Sequence, residues 1–339
     1  MKGNFMGVMA GLILLLLLMI IFSLCFGQMD IPFDHVWDAG RKILGLAPVS
    51  ALTPNEEAVI WHIRLPRTLV GLLTGAALAA AGAALQGLFA NPLADPSIIG
   101  VSSGASVGAI VAIASGMSAV TLWALPLCAL LGALLAVALT IALSFRRGRI
   151  PVLTLLLAGV VVGMFLAAVS ALLLTAVNES KLQEYLFWTI GGLDYRRWEH
   201  VWLGLLPIAG SVAGLGLLAR QLNILSMGDI EARSVGLPVL RFRLAVLFLA
   251  ALATASAVSI SGNIGFVGLV VPHMLRLLVG PDHRRLLPAS ILAGGVFLLF
   301  CDTVGRVLIS GTEIRVGIMT AFIGTPYFLY LLRKQQRME

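Results

Sequence analysis

Few side chains of this 339-residue chain could do chemistry within its apolar stretches: His273, Arg276, Asp302, Arg306 and Glu313. A proton- or sodium-coupled carrier needs an acid or a histidine deep in a membrane helix. Here both carboxylates fall near the outer ends of apolar segments. His273 reads as a hydrogen-bonded packing residue, the commoner role, or as a proton relay. The three cysteines, Cys25, Cys128 and Cys301, lie in apolar runs without CxxC spacing, so neither a disulfide framework nor a zinc site is expected. No metal-ligand cluster, Ser/His/Asp constellation or carboxylate pair gathers at one depth, which argues against a membrane-embedded enzyme. A P-loop needs GxxxxGKS/T, and none of Lys2, Lys42, Lys181 or Lys334 follows a glycine. The chain is not its own ATP-driven motor.

Three other segments carry chemistry of a different kind. Leu222 to Pro238 is too polar to span a membrane and too apolar for a free linker. Ser226 with Asp229 resembles a helix start, and Gly236 can end the helix, predicting a short amphipathic helix that presents Met227, Ile230 and Val235. Two or three turns are marginal alone in water, so this helix needs a partner surface in its own bundle or on another subunit. In Gln86 to Ala105, Pro92 and Pro96 remove backbone donors, Asn91 and Asp95 are suited to accept from freed N–H groups, and Ser97 can cap the following helix. The result is a broken helix at membrane depth or a tight cytoplasmic turn, serving as wall or hinge of a path or as an ordinary connection. Ser259 to Arg276, with three glycines and Pro272, interrupts the second half in a similar way. Paired interruptions point to pseudo-symmetry around a central path.

The elements that position these segments follow from composition. Hydrophobic residues make up 59% of the chain and charged ones 12%, with mean hydropathy +1.01. A soluble domain would carry about a quarter charged residues. A span needs about 20 apolar residues. Strong candidates are 6–26, 66–88, 119–144, 152–175, 199–219, 240–258, 286–308 and 314–332, with shorter Gly-rich pieces at 98–116 and 266–278. The fold class is therefore an all-α polytopic membrane protein with about ten transmembrane helices in a single domain over 1–339. The run after Lys2 is long enough to be a retained span, and no small-x-small cleavage site follows it. With the N-terminus inside, predicted cytoplasmic segments hold 14 of the 23 basic residues and five of the 16 acids. The positive-inside rule then places both termini in the cytoplasm. The same rule accounts for the net charge of +7 and pI near 9.8 without nucleic acid as a partner. Two long outer segments remain, 27–63 and 178–197, the second with a surface helix expected over Glu179–Ile190.

Six stretches then acquire a common meaning. His62-Ile-Arg-Leu-Pro-Arg67, Asn91 to Pro96 with Gly100-Val-Ser-Ser-Gly-Ala105, and Gly265 to His273 resemble the FecCD-type permeases. So do Leu222 to Gly236, Asp282-His-Arg284 and Val316 to Pro326; Arg315 stands where that pattern often has proline. These permeases belong to ABC importers of iron-siderophores, heme and cobalamin in bacterial or archaeal cytoplasmic (inner) membranes. The resemblance implies a permease that pairs with a second copy or a sister chain, two ATPase subunits and an extracytoplasmic substrate-binding protein. It implies no covalently bound cofactor, with ATP–Mg used by the ATPase. It assigns ATPase coupling to Ser226, Met227, Gly228, Asp229, Glu231, Ala232, Arg233 and Gly236. It assigns binding-protein docking on the outer face to Arg64, Arg67 and Arg306, although Arg64 and Arg67 also suit interfacial anchoring. Pathway lining or hinge roles go to Asn91, Pro92, Asp95, Pro96, Gly159, Gly163, Met164 and Ala167. The Gly100 variant is closer to heme and cobalamin permeases than to some siderophore ones. The competing reading is a carrier or channel working alone.

Overall fold

Hydropathy of this strength forces the backbone to satisfy itself within each segment, and helices are the form that does so in lipid. The computed structural model describes residues 5–43, 45–46, 52–309 and 311–336. Lys2, Arg337 and Glu339, counted above as cytoplasmic charges, lie outside them. Among the described residues, seven helices are long and apolar enough to cross a membrane: α1 (Phe5–Cys25), α4 (Leu65–Leu88), α7 (Ala124–Ser144), α8 (Val152–Leu174), α10 (Trp198–Leu217), α13 (Val239–Ser261) and α15 (His283–Val307). Two shorter apolar helices, α5 (Val101–Ala114) and α14 (Val267–Val279), and the apolar part Val316–Tyr330 of α16 (Val316–Gln336) complete the ten segments read from the sequence. The chain is a multi-pass helical membrane protein.

Small helices fill the connections. The first long connection holds amphipathic α2 (Phe33–Ile43) and α3 (Pro54–Val59), the latter running through a π-turn at Ile60–Arg64 into α4. Thr53 and Glu56 form a capping box at the start of α3, and the Thr53 hydroxyl and amide hold the Glu56 carboxyl down at about 2. His35 Nδ1 lies 3.0 Å from Glu56 Oε1 and ties α2 to α3. A single turn, α6 (Met117–Val120), precedes α7. The expected surface helix is α9 (Glu179–Ile190), where the Asn178 side chain accepts from the Lys181 amide at 3.1 Å. The polar stretch around Leu222 to Pro238 contains α11 (Ala219–Leu225) and α12 (Asp229–Ser234).

Burial decides the layout. About 78% of the apolar window running into α4 is buried, and 72% and 61% for α13 and α15, against 11% for α1 and 17% for α8. The first three form the centre of the bundle, while α1 and α8 keep wide apolar faces open. Close crossings depend on glycine. A Cβ at Gly75 would overlap the Gly294 carbonyl, one at Gly82 the Gly268 carbonyl, and one at Gly104 the Gly132 carbonyl. Lipid tails are as apolar as leucine, so such backbone approach, rather than apolar burial, holds membrane helices together. Gly82→Ala is expected to destabilise by ~1–3 kcal/mol, because backbone cannot rotate away as a side chain can. Gly210→Ala, with nothing within 4 Å of the added carbon, serves as the control. Thermal unfolding in detergent, followed by intrinsic fluorescence, separates the two.

Candidate functional site

Three layers of polar residues interrupt the apolar bundle. At the end bearing α2 and α3, Arg64, Arg67 and Arg306 do not project from the face as expected; they are 4%, 7% and 3% exposed. Arg64 Nη1 donates to the Leu24 and Cys25 carbonyls at 2.5 and 2.7 Å, and Nη2 to that of Met29. Arg67 donates to both oxygens of Asp302 at 2.9–3.2 Å and through Nη1 to Glu313 at 2.7 Å. Arg306 Nη2 donates to the Ser23 carbonyl at 3.1 Å and hydroxyl at 3.0 Å. Its Nε sits 3.2 Å from Asp302 Oδ2, an ion pair that is off-line for a hydrogen bond. The reason is desolvation: guanidiniums at this depth must find acceptors within the protein. Asp302 and Glu313, which the sequence left near outer ends, supply them.

In front of this cluster opens a cavity of about 700 Å³ lined by His62, Arg67, Arg196, Arg197, Arg315 and the acids Asp194 and Glu313, among others. Arg315 pairs with Asp194 at 3.0 Å and stacks its guanidinium 4.4 Å from the Phe187 ring centroid. Burial lowers Arg196 to about 10, and it still titrates far above neutrality. The basin is cationic, with His62 and Arg197 exposed at its rim.

In the middle layer the two interruptions meet. α4 ends at Leu88, the chain turns, and Asp95 caps a 3-10 turn, Pro96–Ile99, by accepting from the Ser97 amide at 2.8 Å. The cap is therefore Asp95 and not Ser97, whose hydroxyl also bonds Asp95. Gly100, with φ 89°, makes the left-handed step into α5. Gly268, from the second interruption, packs on Pro96, and Ser102 Oγ donates to Asn263 Oδ1 at 3.0 Å. Gln86 Nε2 donates to the Leu269 carbonyl at 3.1 Å and Gln86 Oε1 accepts from Arg276 at 3.3 Å, stitching α4 to α14. Of the residues expected along a pathway, Asn91 and Pro92 are exposed, Asp95 is half-buried and Pro96 buried. Gly159 is a packing contact, since a Cβ there would overlap the Ile98 carbonyl. Gly163 faces Ser103, while Met164 and Ala167 lie exposed on α8. His273 finds no partner for Nδ1 among the described residues and lies edge-on to Tyr327, so hydrogen-bonded packing does not describe that nitrogen.

At the opposite end, Ser226 caps α11 at its C-terminus and donates to the Asn223 carbonyl, so it does not start α12 as expected. Gly228, at φ 116°, precedes α12, and its lack of a side chain leaves that start without a side-chain cap. Gly236 ends α12 at φ 80°, with Leu237 N bonding the Ala232 carbonyl. Ala232 is buried, whereas Glu231 and Arg233 are exposed, and Met227, Ile230 and Val235 stand 68%, 81% and 67% exposed. Two residues not singled out in the sequence anchor this region. Arg243 of α13, 4% exposed, donates to Asp229 Oδ1 at 2.5 Å, Asp229 Oδ2 at 3.2 Å and the Ile150 carbonyl at 2.7 Å. Asn223 Nδ2 donates to Asp282 Oδ1 at 2.6 Å, while its Oδ1 accepts from the His283 amide at 2.8 Å and ring Nδ1 at 2.7 Å. Burial pushes the Asp282 carboxyl up, but the bonds from Asn223 and the Arg284 amide, with nearby Arg284 and Arg285, prevail and hold it below its ordinary value.

Comparison with known proteins supplies context for these layers. The chain is 46% identical over 292 residues to the cobalamin import system permease protein BtuC of Halobacterium salinarum, covering 86% of this chain and 78% of that one. It is 39% identical over 328 residues to the vitamin B12 import system permease protein BtuC of Klebsiella pneumoniae subsp. pneumoniae, covering 96% and 93%. Its fold superposes with TM-score 0.85 and 35% identity on a metal-chelate type ABC transporter solved in an inward-facing conformation, over 97% of this chain and 99% of that one. These relatives are permeases and not enzymes. The FecCD transport family model matches residues 15–334, and the chain belongs to that family.

Proposed function

We propose that this chain is the pathway-forming permease subunit of a binding-protein-dependent ABC importer for a metal chelate, with cobalamin the first cargo to test. One observation carries the coupling part: α12 packs on the bundle through Ala232 and leaves Ile230, with flanking Met227 and Val235, open, while its Asp229 is held by buried Arg243. An exposed apolar tip on an anchored base fits a lever seated in a groove of an ATPase subunit that holds ATP–Mg. Glu231 and Arg233 supply its polar rim, Ser226, Gly228 and Gly236 its bends, and Ala232 its packing. A second permease copy is proposed to cover the open apolar face of α8, where Val160, Val161, Met164 and Phe165 are all more than half exposed. The extracytoplasmic binding protein is proposed to dock at the cationic basin. His62 and Arg197 would touch its acids directly, with Arg64, Arg67 and Arg306 as the buried charge behind them. The charge asymmetry of the loops supports cytoplasmic termini in a bacterial or archaeal inner membrane.

The test uses the chain purified in nanodiscs with its candidate ATPase and binding protein. Ile230→Asp is expected to weaken ATPase association by about 2 kcal/mol, some thirtyfold in Kd, as for an interface anchor. Cobalamin-loaded binding protein is expected to alter hydrolysis by the assembled complex and not by the ATPase alone. Uptake that follows a proton or sodium gradient with no ATPase bound would replace this reading with that of a lone carrier.

A further inference from the structure

α5 and α14 have 14 and 13 residues. At 1.5 Å per residue they reach about 20 Å, short of a hydrocarbon core of about 30 Å. Their N-terminal ends meet, through Ser102–Asn263 and Gly268–Pro96, so both begin inside the membrane. Two cavities adjoin at this junction and share Ser102, Ser103 and Asn263. One, about 360 Å³, extends to Asp95 and Ser97; the other, about 240 Å³, extends past Ser106 and Ser170 to Tyr185 of α9.

The second cavity is lined by four serines, Tyr185 and the Asn263 carboxamide, with Ala167, Ala171 and Leu174 as its apolar wall and no charged side chain among its lining residues. Some serines of the spanning helices satisfy themselves. Ser144 donates to the Thr140 carbonyl at 2.6 Å, Ser211 to that of Ile208 at 3.0 Å and Ser261 to that of Ala257 at 2.8 Å. Ser170 does not: it is 5% exposed, and its Oγ, like those of Ser256 and Ser290, is buried with no partner among the described residues. The Asn263 amide group donates to nothing among the described residues, since only its oxygen is engaged.

We propose that this cavity, walled by Ser102, Ser103, Ser106, Ser170, Tyr185 and Asn263, is a subsite for uncharged carboxamide arms of the cargo as it passes along α8. The inference rests on the importer reading above. A carboxamide presents one acceptor and two N–H donors, which the Asn263 amide and the serine hydroxyls complement. A carboxylate arm would enter with no cation to meet it and with Asp95 lining the adjoining cavity, at a high desolvation cost. The subsite therefore favours amide-bearing corrinoids over carboxylate-bearing chelates such as heme.

The test is a cycle between protein and cargo, run as ATP-driven uptake per ATP hydrolysed in proteoliposomes holding the whole complex. The cargoes are cobalamin and a series of corrinoids, each with one carboxylate replacing a different peripheral carboxamide. Asn263→Leu, and separately Ser106→Ala with Ser170→Ala, are expected to slow cobalamin uptake about five- to tenfold. At least one carboxylate corrinoid should be slower in the wild type and almost insensitive to both variants. If every cargo falls in the same proportion, or cobalamin uptake is unchanged in both variants, the subsite is overturned. If the wild-type complex moves no corrinoid and binds no ATPase, the importer reading is overturned and the subsite with it.

Discussion

Asp302→Ala is expected to destabilise the protein by ~3–5 kcal/mol, the range for removing one partner of a buried ion pair. Asp302 is 1% exposed and faces two guanidiniums, bidentate to Arg67 and 3.2 Å from Arg306 Nε. Without it Arg306 keeps Ser23 and Thr303, but Arg67 keeps only Glu313, a partner whose side chain is one-third exposed. The excess charge then sits between α4 and α15, at the wall of the cavity that Arg67 lines. Thermal unfolding in detergent measures the loss. Arg67→Met with Asp302→Leu is the discriminating pair: replacing both charges by apolar groups should recover most of the stability. Recovery would show that the pair serves specificity at the outer end more than it serves folding. Equal losses in single and double variants would mean that shape rather than charge holds this crossing.

The spans were legible because their signal is local and strong. Residues 152–175 and 240–258 appear as α8 and α13 with ends shifted by at most three residues. α9 was legible from its cap, Asn178, ahead of a half-polar helix. The same local logic, applied to Thr53-Pro-Asn-Glu56, would have found α3, since that quartet is a capping box with proline in the first turn. The burial and partners of the three arginines Arg64, Arg67 and Arg306 were not legible, for a different reason. Arg67 meets Asp302 across 235 residues of sequence, and no spacing within one chain announces such a pair. Arg67, Val70, Thr74 and Ala77 do share one buried stripe of α4, which puts an arginine where only an internal acid could keep it. The meeting of the two interruptions followed the same split. Each break was legible from Gly and Pro, but their contact through Gly268 and Pro96 is tertiary. Arg243 was legible in principle. Val239, Arg243, Val246 and Ala250 recur at helical spacing and all are buried.

Arg243→Ala is expected to leave a folded permease in which ATP hydrolysis no longer drives uptake efficiently. Arg243 joins three pieces of backbone: α12 through Asp229, α13 on which it stands, and the turn before α8 through the Ile150 carbonyl. That turn is tight, with Arg147 and Gly148 at positive φ and paired bonds between Arg146 and Arg149, so it moves as a unit. A displacement of α12 therefore reaches the start of α8, the helix with the widest open face apart from α1. Arg243 Nε is buried with no hydrogen-bond partner, so the present arrangement leaves one donor for a second state to engage. Loss of the link should cost ~0.5–2 kcal/mol of coupling, a two- to thirtyfold fall in cobalamin uptake per ATP hydrolysed. Asp229 is 41% exposed at its side chain and can turn to water, so the unfolding midpoint should fall far less than in Asp302→Ala. Arg243→Lys sharpens the point. A lysine keeps the charge, but its single ammonium lacks the planar fork that serves Asp229 and Ile150 together, so it should restore stability and not coupling. If Arg243→Lys couples as well as the wild type, charge alone suffices and the link to Ile150 transmits nothing. If Arg243→Ala couples normally, the lever reaches the pathway by another contact, with Asn223 and its bonds to Asp282 and His283 the next to test.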